Sequence, residues 1–147
     1  MKINLLKVLG LVLCLNAFPV LAGDGKARLS HWYGEHLGMR TFVYLANISS
    51  NPVKVNVTFY GKNGAVQTQG ITYYNFSNGD TELSAKSSGY IKIEPPTEDF
   101  GHAVIKWENV GNDDNTKALM AHASRITVNG PSWRADVAIP INKGMPF

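Results

Sequence analysis

The chain has 147 residues, with 14 Lys and Arg against 11 Asp and Glu, one Cys and 10% aromatic residues. It is long enough for a single domain with a real core. The charge is small and no basic block stands out, which excludes an electrostatic nucleic-acid footprint.

The chain opens MKINLLKVLGLVLCLNAFPVLAGDG. Lys2 and Lys7 precede an apolar run from Val8 to Leu15, and Val20 and Ala22 are small residues at −3 and −1 of a cut before Gly23. That pattern reads as a secretory signal peptide over 1–22, with one domain over 23–147. Asn16 and Pro19 interrupt the run, which falls short of the ~20 apolar residues of a spanning helix. Leu13 before Cys14 is the wrong neighbour for lipoprotein processing, so Cys14 leaves with the peptide. The processed chain then carries 12 basic and 11 acidic residues and no cysteine. A disulfide framework, a thiolate metal site and a cysteine nucleophile are excluded. A secreted domain without disulfides suits the bacterial envelope or periplasm.

After residue 23 short alternating runs follow one another, separated by turn residues. RTFVYLANIS (40–49) is rich in aromatic and β-branched residues. In VKVNVTFY, Val53, Val55, Val57 and Phe59 share one face while Lys54, Asn56, Thr58 and Tyr60 share the other, the period of a half-buried strand. Pro52 stands at its start, and GKNG closes it with a residue pair suited to positive φ. AVQTQGITYY (65–74) is expected to pair back across that turn. SGYIKIEP places Ile91 and Ile93 together. GHAVIKWE places Ala103, Ile105 and Trp107 together. KALMAHAS is expected to form a hairpin partner for 101–108 across NVGNDDNT, a loop without the spacing of a calcium-binding EF-hand. In ADVAIPI, Val137, Ile139 and Ile141 share a face, and Pro140 marks an edge strand. The expectation is an all-β protein, an antiparallel β-sandwich of about seven or eight strands.

NISSNPVKVNVTFYGKNG, followed by SGYIKI and GHAVIKW, resembles the small bacterial β-sandwiches of the sensory rhodopsin transducer family, and also immunoglobulin-like modules of bacterial surface proteins. The resemblance covers about half of the processed chain and implies a sandwich that binds or assembles without catalysis. The signal peptide departs from the transducer pattern and argues against a cytoplasmic photoreceptor partner.

Four histidines are the candidates for metal. HWYGEH sets His31 and His36 near Glu35, and His102 and His122 fall on strands expected to be neighbours. The spacing is not that of HExxH, so no cofactor or metal is expected. Ser124 follows His122 outside any GxSxG context. Glu94, Glu98 and Asp99 bracket Pro95 and Pro96 in a loop that fixes no carboxylate pair. Asn47, Asn56 and Asn75 match the glycosylation sequon by chance in a chain rich in Asn, Ser and Thr.

Aromatic residues near segment ends are the candidate contacts: Trp32, Tyr33, Tyr73, Tyr74 and Trp133, with Phe76 beside them. Flat rings stack on sugars and anchor protein interfaces. The leading expectation is a secreted or periplasmic non-enzymatic module that binds another protein or copies of itself, with GDGKARLSHWYGEHLG as a detached donor strand. The alternatives are a carbohydrate-binding module and a small hydrolase using a histidine-held metal. Export is expected to remove 1–22, so the intact mass of the exported protein should correspond to Gly23–Phe147. A mass that retains Met1–Ala22 would contradict the leader reading.

Overall fold

The computed structural model describes residues 23–35, 38–111, 113, 115–129 and 132–147, with side chains described throughout except at 128, 129 and 132–136. Residues 1–22, expected to be a leader, His36 and the Trp133 side chain lie outside the described residues.

Among the described residues ten strands run in chain order: β1 (Asp24–Gly34), β2 (Met39–Asn47), β3 (Val53–Tyr60), β4 (Val66–Gln67), β5 (Ile71–Tyr74), β6 (Glu82–Leu83), β7 (Ser88–Ile93), β8 (Asp99–Asn109), β9 (Leu119–Asn129) and β10 (Ser132–Pro140). They form two antiparallel sheets of five strands. The first has the order β1-β8-β3, with the two-residue strands β4 and β6 both on the far side of β3. The second has the order β10-β9-β2-β7-β5. The two inner faces make one core, which includes Leu29, Trp32, Phe59, Ile105 and Trp107 from the first sheet and Val43, Leu45, Ile91, Ile93 and Ala123 from the second. The all-β expectation holds, and the very short β4 and β6 raise the strand count to ten.

The alternation read from VKVNVTFY is the observed one. Val53, Val55, Val57 and Phe59 are buried, Lys54 and Asn56 are exposed, and Thr58 and Tyr60 are intermediate. Burial of each large apolar side chain contributes about 1.5–3 kcal/mol, enough to fix which face turns inward. Gly64 closes the following turn at φ 79.

Three pairings differ from the sequence expectation. Only Val66–Gln67 folds back on β3; Ile71–Tyr74 crosses to the second sheet and pairs with β7. β9 is not the hairpin partner of β8. The 110–118 connection passes from one sheet to the other, and β9 lies between β2 and β10. The N-terminal stretch is not a detached donor, because Asp24–Gly34 is already paired along β8 and buries Ala27 and Leu29. Deleting 23–29 would therefore remove core. β10 is an edge strand, as Pro140 implies, although Val137 remains 42% exposed.

A bulge in β1 changes its parity. Leu29 lies opposite Ala103 and Trp32 opposite Gly101, so β1 carries one extra residue there. Ala27 and Leu29 point inward before it, Trp32 after it. Strict alternation would have turned Trp32 outward.

Buried polar side chains hold both ends of β2. Thr41 Oγ1 donates to the Tyr33 carbonyl at 2.8 Å and accepts from the Tyr33 N–H at 3.1 Å, tying β2 to β1 of the other sheet. At the other end Asn47 Nδ2 donates to the carbonyls of Asn51, Leu83 and Ser84, and its Oδ1 accepts from the N–H and hydroxyl of Ser49. Asn47 is thus the least accessible of the three sequon asparagines; Asn56 and Asn75 are exposed. The chain end docks on its own domain. The Phe147 oxygen accepts from Trp107 Nε1 at 2.7 Å and from the N–H groups of Ala118 and Leu119.

Asn47→Leu leaves several buried carbonyls and an N–H without their partner. It should cost about 3 kcal/mol or more in denaturant melts. Asn56→Leu, on the exposed face of β3, should stay within about 0.5 kcal/mol. Equal losses would show that the Asn47 network contributes nothing special.

Candidate functional site

The aromatic candidates separate once the strands are placed. Trp32 is fully buried; its indole Nε1 donates to the carbonyls of Tyr60 and His102, and its ring meets Phe59 edge-on at 6.1 Å. It is a core residue and not a surface anchor. Tyr73 is half-buried against the core and meets Phe76 edge-on at 5.4 Å. Burial, and then the charge of Asp80, raises its pKa. Tyr33 sits at the end of β1. Tyr74, 38% exposed, faces outward on edge strand β5.

Tyr74 belongs to a larger feature. Register places Pro140 opposite His122, His122 opposite Tyr44, Tyr44 opposite Tyr90 and Tyr90 opposite Tyr74. One row therefore crosses the outer face of all five strands of the second sheet. Its rings stack: His122 on Tyr44 at 4.8 Å and 14°, and Tyr90 on Tyr74 at 4.4 Å and 16°, while Tyr44 and Tyr90 tilt together at 5.8 Å. Phe42, next outward residue along β2, closes on Tyr44 and Tyr90 at 6.2 and 5.8 Å. Neighbouring strands lie ~4.8 Å apart, close to the spacing of stacked rings, so side chains standing off one face fall naturally into a ladder.

Beside this ridge runs an open trough of about 550 Å³. Ala46 and Ser88 are paired across β2 and β7 at its floor, and Met120 pairs with Ala46 from β9. Gly89 also lines it, and a side chain there would run into Tyr74 O and Phe76 at 2.8 Å. Asn75, at φ 62, lies along the trough and donates to the Ser88 carbonyl. Among the described residues no Asp, Glu, Lys or Arg lines the trough.

The histidines do not converge. His102 stacks on Tyr60 at 4.9 Å on the outer face of the first sheet, whereas His122 stands on the outer face of the second. His31 lies 6.3 Å from Phe100 at the end of β1. The expectation that His102 and His122 occupy neighbouring strands is overturned, since β8 and β9 belong to different sheets. Among the described residues no group of three or more His, Cys, Asp or Glu is placed to hold a metal.

The acidic loop residues are engaged elsewhere. Glu94 pairs with Arg40 and with Lys92. Asp99 Oδ1 accepts from the N–H groups of Lys62 and Phe100. Asp113 Oδ2 accepts from the amides of Asn51 and Asn115 at 2.6 Å each, so this carboxylate serves to fasten the loop. The outer face of the first sheet is charged. Lys26 lies opposite Lys106, and Lys54 pairs with Glu108 at 2.9 Å.

The chain matches no family model, no curated protein and no solved structure. Among the described residues no helix is long and apolar enough to cross a membrane.

Phe42, Tyr44 and Tyr90 were missed by sequence reasoning, and His122 was singled out there only as a metal candidate. One signal was present: Phe42 and Tyr44 share the parity opposite the buried Val43 and Leu45, so two large rings had to stand on an outer face. Their assembly into a row depends on the strand order, which no local pattern supplies.

Tyr33 offers a pH test. Its hydrogen bond to Glu98, then desolvation and the charges of Glu35 and Glu98, push its pKa up to about 12 against a lowering effect of Arg125. A pKa raised on folding favours the neutral phenol. That stabilisation is present below the usual tyrosine value of ~10 and is lost as pH rises through about 12. The phenolate absorbance difference between wild type and Tyr33→Phe should accordingly rise near pH 12, and Glu98→Gln should move it down. A difference centred at the usual value would refute the Glu98 bond.

Proposed function

We propose that this protein is a secreted or periplasmic non-enzymatic binding module that recognises a polypeptide surface through the outer face of its second sheet. The observation that carries this reading is the ridge of stacked rings beside an uncharged trough. Rings turned face to face along the row offer their edges and phenol groups outward. Phenols both donate and accept hydrogen bonds, and ring edges pack against aliphatic and amide groups, which suits a polypeptide. The trough takes side chains, and Met120, 40% exposed, is a side chain that adapts its shape to what it meets.

Carbohydrate recognition is the second reading, favoured by the exposure of Tyr74 at the end of the row. It ranks lower because sugars stack on open ring faces, and within this row the faces are occupied by neighbouring rings.

A photo-crosslinking residue placed at Ser88 in the trough should yield specific protein adducts in the cells that make the protein, and one at Asn56 on the opposite outer face should not. Ala46→Arg, which puts a charged side chain into the trough, should abolish the Ser88 adducts without shifting the melting temperature by more than a few degrees. Absence of adducts at Ser88, or the same adducts from both positions, would refute the reading. Glycan binding lost in Tyr74→Ala would instead establish the carbohydrate reading.

A further inference from the structure

Resting on that reading, we infer that the occupant of the trough is the same face of a second copy of this chain, related by a two-fold axis.

A face that docks on itself must be self-complementary, since each feature has to meet its own counterpart. This one carries a ridge and a trough side by side. The ridge is the row through His122, Tyr44, Tyr90 and Tyr74, and the trough has Ala46 and Ser88 at its floor. A two-fold axis between ridge and trough would lay each ridge in the other copy's trough. Charge agrees with this occupant. Identical charged faces repel when brought together, and among the described residues no Asp, Glu, Lys or Arg lines this trough. The outer face of the first sheet is unsuited, with Lys26 opposite Lys106 and Lys54 and Glu108 beside them. Hydrogen bonding agrees as well, because a phenol is donor and acceptor at once and can pair with its own symmetry mate.

Two of the sandwich edges, β10 and β1, offer poorer routes to assembly. β10 carries Pro140 and a bulge between Ala135 and Val137, and β1 carries a bulge and two cations, Lys26 and Arg28. Bulges, prolines and edge charges all discourage strand addition. The row spans five strands, ~19 Å at ~4.8 Å spacing. A ridge of this span with one trough beside it is a small patch against the ~800 Å² per partner of a standard interface. The dimer is therefore weak and reversible.

Sedimentation of the exported protein from about 10 to 500 µM tests this, a range chosen for an interface of the weak class. The weight-average mass should climb from monomer towards dimer with concentration. Ala46→Arg and, separately, Ser88→Lys should hold it at monomer, while Lys106→Glu on the opposite face should leave the climb unchanged; melting curves confirm that each variant is folded. A wild-type protein that stays monomeric throughout would overturn the inference, as would self-association indifferent to both trough variants or lost in Lys106→Glu. The two readings fail separately: a monomer that still crosslinks another protein from Ser88 sinks the second copy and keeps the binding face, whereas no adducts and no dimer sink both.

Discussion

The outer face of the second sheet depends on the register of β2. This strand has β9 on one side and β7 on the other, and it divides its residues between two environments. Thr41, Val43, Leu45 and Asn47 turn inward, and Phe42, Tyr44 and Ala46 turn outward. A slip of one residue would exchange the two sets. The inward set resists this because its terminal members are polar and fully bonded. Thr41 is hydrogen-bonded in both directions to the Tyr33 backbone, and Asn47 reaches the loop carbonyls at 51, 83 and 84. Apolar burial alone would accept several sliding registers of Val and Leu. Two directional groups at opposite ends of the strand accept one.

With the register held, the stacked ridge follows from geometry. Antiparallel neighbours place directly opposed side chains close together, and each aromatic pair contributes roughly 0.2–1 kcal/mol. The rings that form the candidate surface therefore also support the sheet beneath them. The small residue next to them has a matching role: a bulky side chain at Ala46 would fill the trough, whereas one at Gly89 would turn inward beside Leu45 and strike the Tyr74 carbonyl and the Phe76 and Leu83 side chains. The two outer faces of the sandwich have consequently diverged, one charged and one aromatic, although the same alternation generates both.

Much of this was legible residue by residue. The buried stripe of β3, the inward Ala103, Ile105 and Trp107, the turn at Gly64 and the edge position of Pro140 all follow from local pattern. What local pattern does not carry is which strands meet. Ile71–Tyr74 and KALMAHAS have the composition of hairpin partners for their sequence neighbours, yet both cross to the other sheet, because closing a two-layer core rewards long-range pairing. The row of rings is a product of that crossing, so it could not be seen from Phe42, Tyr44 or Tyr90 separately. Trp32 was misplaced for a different reason. An extra residue between Leu29 and Trp32 reverses the parity of β1, and composition does not reveal it.

That extra residue has a genetic consequence. Loss of a single codon at Ser30 or His31 would remove the bulge and leave Leu29 and Trp32 two positions apart, so strict alternation would keep Trp32 in the core with its bonds to the Tyr60 and His102 carbonyls. Most substitutions at the same two positions would change only side chains outside the core, since Ser30 is exposed and His31 partly so. The spot is thus tolerant both to the identity of its residues and to the loss of one of them, so lineages descending from this chain should vary there in sequence and, by one residue, in length.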